Sequence, residues 1–379
     1  MTQQGSNSND GLFGAGSPFM QAGQTMAQQW MEFLSKAGNP HTVAPTPVDP
    51  QVLNGVQQEF MAQQMRLWES MLAKQQGKEQ SFKVEAESGD RRFSAPEWKE
   101  SPVFDYLHQA YLLNTQYVKQ LVEVMPAEDE KAKNKLRFLA RQITDAVAPS
   151  NYAATNPEFI KLAVETKGQS ITDGINNLMR DLEKGRISMT DESVFEVGKN
   201  IATTEGAVVF ENDMMQLIQY SPLTPKVGTR PLLVVPPCIN KFYVMDLQPD
   251  NSLIHYMIDQ GNTVFLVSWR IPKEEQGHLT WDDYLEQGPI TALHVVQDIC
   301  KVKQVNALGF CVGGTILTSS LAVLKARGED IVSSLTLLTT LLDFSDTGEI
   351  GLFIDENGLA AREATIGKGG LLPARDLQN

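Results

Sequence analysis

The chain has 379 residues, 42% of them apolar, which is core enough for one large domain or two ordinary ones. Its 46 acidic side chains outnumber the 32 basic ones to give a net charge of -14, so bulk electrostatic binding to nucleic acid is excluded. The first residues show no basic segment followed by an apolar run, and no stretch nears the roughly 20 apolar residues that cross a bilayer; the three cysteines, Cys238, Cys300 and Cys311, are odd in number and lack C-x-x-C spacing, which argues for a cytoplasmic protein without a disulfide framework or a zinc site.

Residues 1–50 are rich in Gly, Gln, Ser, Asn and Met, a mixture that buries too little apolar surface to offset its ordering entropy. They open a mobile arm that is expected to run to about residue 90. Two stretches within it have helical apolar spacing: Met26, Trp30, Phe33 and Leu34, then Phe60, Met61, Met65, Trp68 and Leu72. Both read as amphipathic helices in need of a partner surface. Residues 91–193 form an α-helical domain, with "PVFDYLHQAYLLNTQYVKQLVEVM", "KNKLRFLARQITDAV" and "PEFIKLAVET" as helices parted by Pro- and Asn-containing breaks.

From residue 194 to 379 the pattern becomes α/β. "GAVVFEN" and "MQLIQYSP" suggest an antiparallel pair, while "PLLVVPP", "TVFLVSW", "VNALGF" and "SSLTLLTTLL" read as buried strands of a parallel sheet. Helical segments around "SLIHYMIDQG", "WDDYLEQGPITALHVVQDIC" and "VGGTILTSSLAVLKARG" alternate with them, as in a doubly wound domain.

Within "LGFCVGG", Gly309, Cys311 and Gly313 spell G-x-C-x-G between a predicted strand and a predicted helix. This is the nucleophile-elbow pattern of the α/β-hydrolases, with sulfur in place of oxygen. Glycines beside the cysteine let the backbone turn sharply, and the helix start places partial positive charge at the sulfur. The amide of Val312 points where an oxyanion forms, and a second donor is expected from "VVPPCINKFY", at the amide of Ile239. Cys238 and Cys300 lie outside any elbow and read as small buried residues. Sulfur suits a thioester substrate: transfer of an acyl group from one thiol to another is nearly isoenergetic, so the acyl group stays activated for delivery to an alcohol.

The chain resembles the class I polyhydroxyalkanoate synthases through "VVPPCINKFYVMDLQPDNSLIHYMIDQGNTVFLVSWRIP", "TWDDYLEQGPITAL" and "LGFCVGGTILTSSLAVL", and upstream through "DRRFSAPEW", "PSNYAATNPE" and "NIATTEGAVVFENDMMQLIQYSP". The resemblance implies an α/β-hydrolase core behind a helical N-terminal region, and polymerisation of (R)-3-hydroxyacyl-CoA, with 3-hydroxybutyryl-CoA the favoured monomer, through an acyl group on Cys311. It implies no metal and no separate cofactor, since coenzyme A arrives with the substrate. As partners it implies the growing polyester, the granule surface with its associated proteins, and a second copy in a homodimer.

In the family an aspartate and a histidine complete the site after the nucleophile, yet His41, His108, His255, His278 and His294 all precede Cys311. Asp343 and Asp346 follow it, and both read as loop carboxylates. The expectation is therefore a truncated hydrolase core that is inactive by itself. Two other readings compete: a cysteine-elbow thioesterase or hydrolase, and a non-catalytic chain that associates with granules.

Overall fold

The computed structural model describes residues 48–78, 82–367 and 370–372. It divides into two compact units, Met1–Gly185 and Arg186–Asn379. The stretch around Trp30 and His41 lie outside the described residues.

The first unit is helical. Helix α1 (Pro50–Gln75) starts on Asp49, whose carboxylate accepts from the Gln51 amide at 2.8 Å, with Pro50 in the first turn where its missing N–H costs nothing. A single turn, α2 (Glu97–Glu100), carries the fully buried Trp98. Then come α3 (Pro102–Val124), α4 (Glu130–Ala146), α5 (Pro157–Glu165) and α6 (Gln169–Lys184). Leu67 of α1 joins Phe93, Trp98, Tyr111, Leu112 and Leu113 in one core, and Phe60 stacks on Tyr117 of α3 at 4.1 Å between ring centroids. Of the second predicted amphipathic stretch, Phe60 and Trp68 pack inside this unit, while Met61, Met65 and Leu72 stay exposed. Arg92 ties the unit together: its guanidinium donates to both Asp90 oxygens at 2.9 and 3.0 Å, to Asp145 at 2.7 Å and to the Tyr111 hydroxyl at 3.0 Å.

The second unit holds a six-stranded sheet in the order β1-β2-β6-β3-β7-β8. Strands β1 (Gly206–Glu211) and β2 (Met215–Tyr220) are antiparallel, and β2 is antiparallel to β6 (Val264–Trp269). Strands β6, β3 (Leu232–Val235), β7 (Val305–Phe310) and β8 (Val332–Leu338) are parallel, as the apolar runs predict. Alternation along each strand sends Leu233, Val235, Phe265 and Val267 into a core with α9 (Thr291–Cys300) and α10 (Val312–Ala326). Val234, Val264 and Leu266 point the other way, onto Ile254 and Ile258 of α7 (Leu253–Asp259). Helices therefore cover both faces, which is why these strands are apolar throughout. A two-stranded ribbon, β4 (Asp246–Gln248) with β5 (Asn251–Ser252), precedes α7, and α11 (Glu356–Ile366) follows the sheet.

Two expectations need correction. The run "SSLTLLTTLL" forms a strand, but Ser333–Thr336 are exposed, because β8 borders the sheet of the described residues on one side only. The segment 281–300 is not one helix: α8 (Trp281–Leu285) and α9 are separated by a π-helical turn, Glu286–Ile290, in which Gly288 leaves helical geometry (φ -93°, ψ -109°) ahead of Pro289. The position accepts no side chain, since a Cβ on Gly288 would lie 2.6 Å from the Trp269 ring.

Candidate active site

Strand β7 ends at Phe310 and α10 begins at Val312, so Cys311 alone makes the turn between them. Its backbone sits at φ 53°, ψ -130°, a region that side-chain-bearing residues occupy at a cost of about 1–3 kcal/mol. The surroundings hold it there. The Cys311 amide donates to the Leu338 carbonyl at the end of β8 (2.9 Å), and its own carbonyl accepts from Gly314 (2.9 Å) and Thr315 (3.4 Å). Thr339, directly after Leu338, also has positive φ, so two strained residues face each other across neighbouring strand ends.

Three glycines let the elbow close. A Cβ on Gly309 would collide with the Cα of Gly314; one on Gly313 with the carbonyl oxygens of Val235 and Pro236; one on Gly314 with the Thr340 side chain. The first turn of α10 is thus pressed against the C-terminal end of β3. The Thr315 hydroxyl adds a bond to the Leu341 carbonyl at 2.8 Å, tying the segment after β8 to the same helix.

Val312 opens α10, so its amide has no partner within the helix. Across the β3–β7 register, Val235 pairs with Gly309, which places Pro236–Ile239 and Cys311–Val312 beyond the same edge of adjacent strands. Pro236 and Pro237 carry no N–H, making Cys238 and Ile239 the first donors after β3. Among the described residues neither amide makes a backbone hydrogen bond. The Pro237 carbonyl accepts from Asn240 at 3.3 Å and the Pro236 carbonyl from the Trp269 indole at 2.8 Å. Among the described residues the amides of Val312 and Ile239 therefore border the elbow without a backbone partner, while the Cys238 amide faces its own thiol.

Cys238 is half-buried against the sheet core. Burial pushes its thiol up, and Cys311 adds to the rise while the Cys238 amide opposes it. Burial also raises the thiol of Cys300, which ends α9 away from the elbow.

The described histidines are engaged elsewhere. His294 Nε2 meets Glu329 at 2.9 Å, His278 Nδ1 meets the Glu275 carbonyl at 2.8 Å, and His255 lies in the first turn of α7. His108 belongs to the first unit, stacked on Phe93 at 4.1 Å. None of them hydrogen-bonds to Cys311 among the described residues. Asp343 and Asp346 accept from the amides of Ser345 (2.9 Å) and Gly348 (3.0 Å) in their own loop, and the Ser345 bond holds the Asp343 carboxyl below its ordinary value. Among the described residues no cluster of three or more His, Cys, Asp or Glu side chains is arranged to hold a metal ion, and no helix is long and apolar enough to cross a membrane.

Residues 89–257 match the family model described as the N-terminus of poly-beta-hydroxybutyrate polymerase, PhaC. The chain is 48% identical over 326 residues to the poly(3-hydroxyalkanoate) polymerase subunit PhaC of Cupriavidus necator, covering 86% of this chain and 54% of that protein. It is a relative of the poly(3-hydroxyalkanoate) polymerases. The polymerase of Methylorubrum extorquens is 40% identical over 317 residues, covering 83% of this chain and 52% of its own length. The chain thus spans about half the length of the curated polymerases it matches. Among solved structures, a hormone-sensitive lipase from a metagenome library aligns with TM-score 0.31 at 13% identity, covering 45% of this chain and 57% of the lipase. An α/β-hydrolase from lagoon sediment aligns with TM-score 0.24 at 16% identity, covering 43% of this chain and 65% of that enzyme. The α/β-hydrolase class of the second unit is visible directly in its mostly parallel sheet and in the strand–Cys311–helix turn.

Proposed function

We propose that this chain supplies the nucleophile half of a polyhydroxyalkanoate synthase, with (R)-3-hydroxyacyl-CoA, above all 3-hydroxybutyryl-CoA, as substrate. The observation that carries the reading is the strained Cys311 at an elbow bordered by free amides, in a chain that is 48% identical to a polymerase. In the proposed step the Cys311 sulfur, having given up its proton, attacks the thioester carbonyl. The carbonyl oxygen takes the negative charge and receives hydrogen bonds from Val312 and Ile239. When the carbon–sulfur bond to coenzyme A breaks, the leaving thiolate recovers the proton and the acyl group remains on Cys311. The hydroxyl of a second hydroxyacyl-CoA then attacks that acyl-thioester; the Cys311 sulfur leaves and the hydroxyl proton restores its thiol, and the new ester, one unit longer, remains on the second thioester. No metal or separate cofactor takes part.

The deprotonation step needs a base near the sulfur, and no described histidine fills that role. Turnover accordingly requires a base, and a carboxylate to assist the attacking hydroxyl, that the described residues do not place at Cys311. On the same reading the protein works in the cytoplasm at the polymer granule, as a homodimer, with residues 1 to about 90 contributing to attachment or assembly.

The test compares residues 1–379 with the full-length gene product in a coenzyme A release assay on 3-hydroxybutyryl-CoA. Release with polymer from the full-length protein, none from its Cys311→Ala variant and none from residues 1–379 alone is the expected result. Polymer from Cys311→Ala at the normal rate contradicts the nucleophile, polymer from residues 1–379 contradicts the missing base, and free 3-hydroxybutyrate without polymer favours a hydrolase.

A further inference from the structure

The oxyanion donor proposed at Ile239 lies in a segment that cannot hold itself in place. After β3, Pro236 and Pro237 offer no N–H, so neither joins a sheet ladder as a donor, and the one local bond, Asn240 to the Pro237 carbonyl, is long at 3.3 Å. What remains is the Pro236 carbonyl. It receives the indole N–H of Trp269 at 2.8 Å, and on another side it is pressed by Gly313 of the elbow helix. The same carbonyl therefore touches the helix that carries Val312 and is gripped by a side chain from β6.

Trp269 is itself held with little slack. It is the last residue of β6, paired with Met215 of β2, and its ring packs at 5.8 Å on Tyr284 of α8. From a third side comes Gly288, at the point where the 281–300 segment abandons helical geometry; any side chain there would strike the indole. A π-helical turn and a non-helical glycine are uncommon inside a helical segment, and such irregularities cluster where a function constrains the backbone. Here they leave room for one ring, whose only hydrogen-bond donor is spent on the oxyanion segment.

We infer that Trp269 is a positioning residue for acyl transfer: its indole N–H, backed by Gly288 and Tyr284, fixes the Pro236 carbonyl and so sets the distance between the Ile239 and Val312 amides. This rests on the reading of Cys311 as an acyl-accepting nucleophile and goes beyond it, since the indole N–H of Trp269 acts on the Pro236 carbonyl rather than on Cys311. Oxyanion donors lose most of their effect when displaced by a fraction of an ångström to an ångström, which corresponds to about a 10- to 100-fold loss of rate.

The experiment measures two reactions at Cys311 in the full-length gene product, both read on the Cys311 peptide by mass spectrometry: acylation by 3-hydroxybutyryl-CoA and alkylation by iodoacetamide. Acylation builds negative charge on an oxygen and needs the amides; alkylation needs the sulfur alone. The variants are Trp269→Phe, replacement of Trp269 by its sulfur isostere 3-benzothienylalanine, which deletes only the N–H, and Gly288→Ala, which displaces the ring. The expected result is a 10- to 100-fold slower acylation in all three at saturating substrate, with KM within about threefold of wild type and alkylation unchanged. Restored tryptophan at position 269 recovers the rate. Wild-type acylation speed in the benzothienyl variant overturns the inference, as does an equal fall in acylation and alkylation, which marks a general loss of structure. A wild-type protein that alkylates at Cys311 but is never acylated there overturns the acyl-transfer reading itself.

Discussion

The two units are held together by different means. In the first, large side chains do the packing: Trp98 is completely buried, with Phe93 and Phe104 edge-on at 4.9 and 5.9 Å, and Leu67, Tyr111 and Leu113 complete the core. Its described glycines have open space around them, as at Gly174 within α6. In the second, the decisive contacts are backbone against backbone, at Gly309 and Gly313 around Cys311. Side-chain packing relaxes around a change by shifting rotamers, whereas carbonyl oxygens in touch with a helix do not give way. The difference teaches where positional accuracy is invested: at the elbow, and away from the helical unit.

The largest effect should come from removing the first unit's central ring. Trp98→Ala is expected to cost about 4 kcal/mol in urea unfolding of that unit, while leaving iodoacetamide reactivity at Cys311 intact. Loss of Cys311 reactivity in this variant would break the separation between the units. Next comes a pair of single methyl groups. Gly313→Ala should cost about 3 kcal/mol or more, since the new Cβ meets two carbonyl oxygens. Gly174→Ala, in a helix interior with nothing nearby, should stabilise by about 0.5–1 kcal/mol. Equal effects of the two would refute the claim that the units differ in tolerance.

A smaller effect is expected at the strained residue. Cys311→Gly removes a positive-φ side chain and should raise stability by about 1 kcal/mol while abolishing acylation. Destabilisation would show that the cysteine side chain packs better than its backbone is strained. The smallest is a pH effect in the first unit. Burial lowers the pKa of His108 against the pull of Asp105 and Asp90, so the folded state resists its protonation. Its contribution is present above the unfolded-state value of about 6.5 and is lost as pH falls from there through the lower folded value. His108→Phe should flatten the dependence of the unfolding midpoint on pH in that window.

Much of this arrangement could be read from the residues. The apolar runs of β3, β6 and β7 declare strands buried on both faces, and G-x-C-x-G between a strand and a helix declares the turn at Cys311. The misreadings share one cause, a dependence on partners distant in sequence. Periodicity continues through residues 281–300 and cannot show that Gly288 must make room for Trp269; the Gly-Pro pair at 288–289 was the available signal. Phe60 and Trp68 look like an unpartnered apolar face until α3 is placed beside them. β8 has the composition of a central strand, and only the sheet order reveals that among the described residues it pairs on one side. Trp269 itself reads as the end of a strand, since nothing local announces that its N–H reaches a carbonyl 33 residues upstream.

The central claim is that Cys311 receives the acyl group, and peptide mapping of the full-length gene product after incubation with 3-hydroxybutyryl-CoA tests it most directly. The account predicts a hydroxybutyryl group, or a short oligomer of it, on the Cys311 peptide and on neither Cys238 nor Cys300, with loss of the modification in Cys311→Ala. An acyl group that persists in Cys311→Ala, or that maps to Cys238 in the wild-type protein, would contradict it.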